Sequence, residues 1–160
     1  MYSLKALFTN YWVMSSFAAW IIAQILKVFT GVFKEQKFNL QTLFFGTGGM
    51  PSSHTATVTA LVTAIGITEG FASPLFALAG VLLMVVMIDA TGVRRETGHQ
   101  SKALNIILEE LFTDPPKEVN RHFKELIGHT PLQVFFGCLT GVAVAVLLYF
   151  IPWWPLVPVV

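Results

Sequence analysis

Gly46-Thr47-Gly48-Gly49-Met50-Pro51-Ser52-Ser53-His54-Thr55 is the stretch from which the rest of the chain is read. Its glycines make a loop whose backbone can approach a ligand closely. Pro51 sets the dihedral of a first helical turn, and Ser52 and Ser53 can cap it. A long apolar segment follows directly, so the loop opens a helix. A helix start presents unpaired N–H groups and the positive end of the dipole, which together suit an anion. His54 adds a group in the first turn that can carry a proton near neutral pH. Physically, this is a phosphate-sized site with an acid or base beside it.

The composition says where such a helix sits. Of 160 residues, 54% are hydrophobic and 12% charged, and the mean hydropathy is +0.67. A soluble domain would carry about 25% charged residues. The chain therefore reads as one membrane-embedded, all-α domain over residues 1–160, a helical bundle. The net charge of +1 gives no nucleic-acid signal. Cys138 is the single cysteine, which excludes an intrachain disulfide and a cysteine-based metal cluster.

Outward from the quoted stretch, Tyr11 to Phe33 is the first apolar run, and Lys34 to Gly49 is a polar loop. Ser52 to Ile67 is a threonine-rich helix, Glu69-Gly70 a tight turn, and Pro74 to Ile88 a third helix. The second and third runs are short against the roughly 20 residues of a full span. Asp89 to Thr130 is the largest polar region. Within it, Leu104, Ile107, Leu108 and Leu111 fall at helical spacing, which predicts an amphipathic helix on the membrane surface or over the site. Asp114-Pro115-Pro116 breaks that helix, and Val119 to Ile127 allows a further short one. Pro131 to Ile151 is the last span; Gly137 and Gly141 suit a close helix contact, and Trp153 and Trp154 mark an interface. The expected architecture is about four transmembrane helices plus an amphipathic interfacial helix in the third loop.

Threading four spans gathers the unusual polar residues at one membrane face. Lys27 lies near the end of the first helix, His54 opens the second, Asp89 ends the third and His129 opens the fourth. Lys34, Lys37, Arg94, Arg95, Lys102, Lys117, Arg121 and Lys124 lie on that face, against Lys5 on the other, so the positive-inside rule predicts that it is cytoplasmic. Two further stretches carry chemistry there. In Gly128-His129-Thr130-Pro131-Leu132-Gln133-Val134, Gln133 stands one turn beyond His129 and can fix its tautomer. In Asp89-Ala90-Thr91-Gly92-Val93-Arg94-Arg95, the paired arginines offer planar donors for phosphate oxygens, and Asp89 can hold one of them. His99 and His122 have no such context and read as solvated surface.

Pro51-Ser52-Ser53-His54 resembles the Pro-Ser-Gly-His motif of the phosphatidic acid phosphatase type 2 superfamily, which includes acid phosphatases and vanadium haloperoxidases. His129-x3-Gln133-Val134-x2-Gly137-x3-Gly141 is similar to that superfamily's His-x3-Asp-Val-x2-Gly-x3-Gly segment. The fuller stretches Thr47 to His54, Asp89 to Arg95 and Gly128 to Val134 resemble a divergent branch of small integral membrane proteins in bacteria and plastids. Three departures stand out. Lys27-x6-Lys34-Glu35 replaces Lys-x6-Arg-Pro, Phe123 stands where an arginine six before the histidine is usual, and Gln133 replaces the aspartate. A carboxylate stabilises an adjacent imidazolium, whereas an amide only orients it.

The resemblance implies a metal-independent hydrolase, with no cofactor, acting through a phosphohistidine. His129 would be the nucleophile and His54 the acid for the leaving group. Lys27, Arg94 and Arg95, with donors near Ser52 and Ser53, would bind the phosphate, and Gln133 and Asp89 would orient. The membrane setting implies a lipid phosphate such as a polyprenyl diphosphate, in a bacterial plasma membrane or a plastid membrane. The partners are this substrate and the bilayer, with no nucleic acid, and homo-oligomer formation stays open. The alternative is a catalytically weak or inactive relative that binds anionic lipid head groups or a membrane protein partner.

Overall fold

The computed structural model describes residues 4–32, 49–111 and 128–151. The described residues are helical, with no strand among them. Helix α1 (Leu4–Thr9) leads into α2 (Tyr11–Val32), and the side chain of Asn10 between them accepts the N–H groups of Trp12 and Val13. Then come α3 (Ser53–Glu69), α4 (Pro74–Ile88), a π-helical turn (Asp89–Val93), α5 (Arg94–Leu111) and α6 (Pro131–Tyr149). Among the described residues, three helices are long and apolar enough to cross a membrane: Tyr11–Thr30, Pro74–Leu111 and Pro131–Tyr149. Helix α3, at 17 residues, is shorter than a full span and is the centre of the bundle.

Helix α3 packs against α2, α4 and α6, and α2 also touches α6. The contact surface is built from small residues. Ala19 and Ala23 of α2, Ala56 and Ala60 of α3, and Val144 and Ala145 of α6 form one buried cluster. Association inside a bilayer relies on close van der Waals packing, which small side chains permit. The approach of α6 to α3 is closest at Gly137 and Gly141. A Cβ on Gly137 would lie 2.7 Å from the carbonyl oxygen of Ser52, and one on Gly141 would run into that of Ala56. At the other end of the bundle, the Tyr11 hydroxyl donates to the Ala145 carbonyl at 2.6 Å. The outer surfaces are apolar: on α4, Leu78, Val81, Met84, Val85 and Ile88 are exposed and only Ala79 is buried. Such a face matches lipid chains.

The third helix does not stop at Asp89. Pro74–Leu111 runs as one continuous helix of 38 residues, so the helix expected in the third loop, here Arg94–Leu111, is joined directly to the third span. The junction explains this. No proline interrupts it, and the chain inserts a π turn in which the Arg94 N–H bonds the Asp89 carbonyl, five residues back. The wider turn also brings the Asp89 and Arg94 side chains together, with Nε and Oδ2 2.6 Å apart. The apolar residues predicted for one face of this extension, Leu104, Ile107 and Leu111, are exposed. Gly46 to Gly48, the break at Asp114 to Pro116, the segment Val119 to Ile127, Trp153, Trp154 and most of the loop cations lie outside the described residues.

Candidate functional site at the meeting of four helix ends

The site is assembled where α2 ends, α3 begins, α4 passes into its π turn and α6 begins. The start of α3 is capped by Ser52, whose Oγ accepts the Thr55 N–H and the Thr55 hydroxyl. Pro51 thus lies one residue ahead of the cap, not in the first helical turn, and Ser53 is the first helical residue. Ser52 is fully buried, and its own N–H donates to the Gln133 carbonyl of α6 at 3.0 Å. Its Oγ caps α3, as the sequence suggests, and its N–H joins α3 to α6, so of the phosphate donors expected near Ser52 and Ser53 this N–H is already engaged. The amides of Ser53 and His54 occupy the positions between, which have no acceptor within the helix.

Lys27 reaches this helix start from α2. Its Nζ donates to Ser53 Oγ at 3.0 Å. His54 is exposed beside it, in the first turn of α3.

His129 sits immediately before α6 and is buried. Thr130 and Gln133 form a capping box: Thr130 Oγ1 accepts the Gln133 N–H, and Gln133 Oε1 accepts the Thr130 N–H at 3.0 Å. The same Oε1 lies 3.1 Å from His129 Nδ1. These contacts fix the chemistry of the ring. A backbone N–H requires an acceptor, so the capping box sets which end of the Gln133 amide faces inward. An amide oxygen can only accept, so Nδ1 carries the proton and Nε2 keeps its lone pair.

The main chain of His129 is fixed as well. Its N–H donates to the carbonyl of Ala90, inside the π turn, at 3.0 Å. Gly128 lies directly on the backbone of Arg94 and Arg95: a Cβ there would lie 2.7 Å from the Arg94 carbonyl carbon and would collide with the Arg95 nitrogen. Only a glycine fits. Through this joint, the stretch Asp89 to Arg95 and the stretch Gly128 to Val134, separated by a long insertion, form one unit. Neither the joint nor the Ala90 carbonyl was identified from sequence. The signals that point to them are Gly128 next to His129 and the five-residue spacing of Asp89 and Arg94.

Electrostatically the place is cationic. Lys27, His54 and Arg94 all act on the His129 ring, and Lys27, Arg94 and Asp89 act on His54. Arg94 is thus the arginine brought to both imidazoles; Arg95, the next residue, projects about 100° further round the helix. Burial, followed by the charges of Lys27, His54 and Arg94, pushes the His129 pKa below the ordinary histidine value, and the bond to Gln133 opposes this shift. Asp89, the carboxylate at the site among the described residues, is paired with Arg94. No three His, Cys, Asp or Glu side chains among the described residues converge as a metal site would require.

The sequence profile of the divergent PAP2 family matches residues 8–144. The chain belongs to that family. A relative, the uncharacterized membrane protein YuiD of Bacillus subtilis (strain 168), is 42% identical over 155 residues, covering 90% of this chain and 98% of its own. No solved structure matches. The matched region of the family takes in every described element of the site, from Lys27 to Gln133. It is a family of PAP2-related membrane proteins, in keeping with the three apolar helices of span length.

Proposed function

We propose that this protein is a membrane-embedded phosphatase or phosphotransferase acting on a lipid phosphate or diphosphate, such as a polyprenyl diphosphate, through a phosphohistidine on His129. The observation that carries the reading is the hydrogen bond from His129 Nδ1 to Gln133 Oε1, which leaves Nε2 with a lone pair on a ring that Lys27, His54 and Arg94 act on. Lys27, Arg94 and the amides of Ser53 and His54 would hold the phosphoryl oxygens. Nε2 attacks phosphorus, the bond to the leaving oxygen breaks with its electron pair, and His54 protonates that oxygen. His54 then takes a proton from water as the water oxygen attacks phosphorus. The P–N bond breaks and inorganic phosphate leaves. The lipid tail stays in the bilayer, and the site faces the cytoplasm by the charge of its loops.

A second reading is a weak or inactive relative that holds anionic lipid head groups or a membrane protein partner. Gln133 favours it, because a neutral amide gives the phosphorylated imidazole no counter-charge. A labelled phosphoryl donor separates the two. Acid-labile label on the wild type that is absent from His129→Ala establishes the enzyme. Anionic-lipid binding without label or turnover, retained in His54→Ala and His129→Ala, establishes the binder.

A further inference from the structure

A lysine near the end of a membrane helix ordinarily runs its stem outward and places its ammonium in the interfacial water. Lys27 has the opportunity: α2 continues from it only to Val32. Its ammonium instead turns sideways onto the Oγ of Ser53, a residue that is 2% exposed. The chain entering α3 passes over the stem, with the Cβ position of Gly49 3.7 Å from Lys27 Cγ. That passage is itself pinned to α2, because the Thr30 hydroxyl donates to the Met50 carbonyl at 2.6 Å.

The place where the ammonium is held is electrostatically adverse. It abuts the positive end of α3, and it acts on both His54 and His129, as Arg94 does. Among the described residues no carboxylate pairs with it; Asp89 is taken by Arg94. Like charges gathered in a partly dry place repel, and a bound anion offsets this by attracting each of them.

We infer that Ser53 is a positioning residue: its hydroxyl keeps Lys27 folded onto the start of α3 so that an anionic phosphoryl group meets the ammonium already in place. The inference rests on reading this meeting of cations as an anion site and names the side chain that organises its lysine. The Ser53 hydroxyl accepts one Nζ hydrogen, and the other two remain for the anion. Without the hydroxyl, the lysine extends toward water and the site loses a charge while the fold is kept.

The test uses the full chain in lipid nanodiscs and two readouts. The first is acetylation of Lys27 by a water-soluble N-hydroxysuccinimide ester, followed by peptide mass spectrometry. Ser53→Ala should raise the rate about tenfold, the scale of a hydrogen bond to a charged group, and Ser53→Thr, which keeps the hydroxyl, should stay near the wild-type rate. Equal rates in wild type and Ser53→Ala overturn the proposal. The second readout is calorimetric binding of inorganic phosphate to Ser53→Ala, Lys27→Met and the double variant. Each single change should weaken binding, and the double variant should bind no worse than Lys27→Met. Additive losses overturn the proposal, since the two side chains would then act separately. If Ser53→Ala frees Lys27 to acetylation while Lys27→Met leaves phosphate binding untouched, the positioning stands and the anion-site reading is what fails.

Discussion

Two histidines stand at two helix starts, and the two starts are built differently. At α6, His129 is buried, its ring is bonded to Gln133, and its main chain is tied to Ala90 of the π turn. At α3, His54 is exposed in the first turn, and the capping falls to Ser52. A nucleophile gains from a fixed lone pair, because a small error in its approach costs rate steeply. An acid that must meet a leaving group and later a water gains from freedom of the ring. The contrast is what the proposed division into nucleophile and acid requires of two side chains of the same type.

The largest effect breaks the comparison if it fails. His129→Ala should abolish the covalent label and reduce turnover by about a thousandfold or more. His54→Ala should lower turnover by about a hundredfold or more for a substrate with a poor leaving group, yet still accept label from a donor whose leaving group needs no proton. Label lost equally in both, with either donor, would show that the two histidines act as one unit and that the structural difference carries no division of labour.

The next effect concerns how the buried ring is held. Gly128→Ala forces a Cβ into the backbone of Arg94 and Arg95, where neither can yield as a side chain could. Overpacking of this kind costs about 1–3 kcal/mol. Here it should also displace His129 from Arg94, so phosphate affinity should fall along with thermal stability. An alanine at position 54 touches no such joint and should leave stability within about 0.5 kcal/mol of wild type.

A smaller effect is a shift in pH dependence. Burial and the neighbouring cations hold the His129 pKa down, so the folded protein takes up its proton less readily than the unfolded chain. This disadvantage is absent above the ordinary histidine range and grows as pH falls through it, so stability should decline on acidification below about pH 6.5. The acid limb of kcat/KM should likewise lie below that value. Gln133→Glu puts a carboxylate against Nδ1 and should move the limb upward by about one pH unit. No movement would mean that Gln133 does not govern the ring.

Much of this was legible in the sequence, for physical reasons. Membrane character follows from composition, because a bilayer admits few charged residues, and the helix starts at Ser52 and Thr130 follow from their hydroxyls next to proline and apolar runs. The meeting of Lys27, His54, Asp89 and His129 at one end follows from threading alone. Continuity through Asp89 was not legible: a drop in hydropathy marks where lipid ends, not where a helix ends, and a π turn has no composition of its own. What Ser52 does beyond capping was not legible, because a cap serine looks the same in sequence whatever its N–H meets. That partner, the Gln133 carbonyl, is a backbone atom, which no side-chain pattern reveals.

The smallest effect sharpens the comparison most, because it isolates a single backbone hydrogen. Thr130 contributes two groups to the start of α6: its Oγ1 caps the Gln133 N–H, and its own N–H orients the Gln133 amide. Thr130→Ala removes only the first and should cost about 1 kcal/mol while leaving the pH limb of His129 in place. Thr130→Pro removes both. The position accepts proline, since its φ of −72° lies within the proline range. Without that N–H the amide can turn over and present its NH2 to Nδ1, and the lone pair then moves from Nε2 to the wrong nitrogen. The expected difference between the two variants is a further loss of a few-fold in the rate of label uptake, without a matching loss of stability beyond Thr130→Ala. Nitrogen-15 spectra of the imidazole should show the mixed tautomer directly. At α3 the corresponding change, Ser52→Ala, should lower stability by about 1–2 kcal/mol and leave the tautomer of neither histidine altered, because there the cap holds a helix and not a ring.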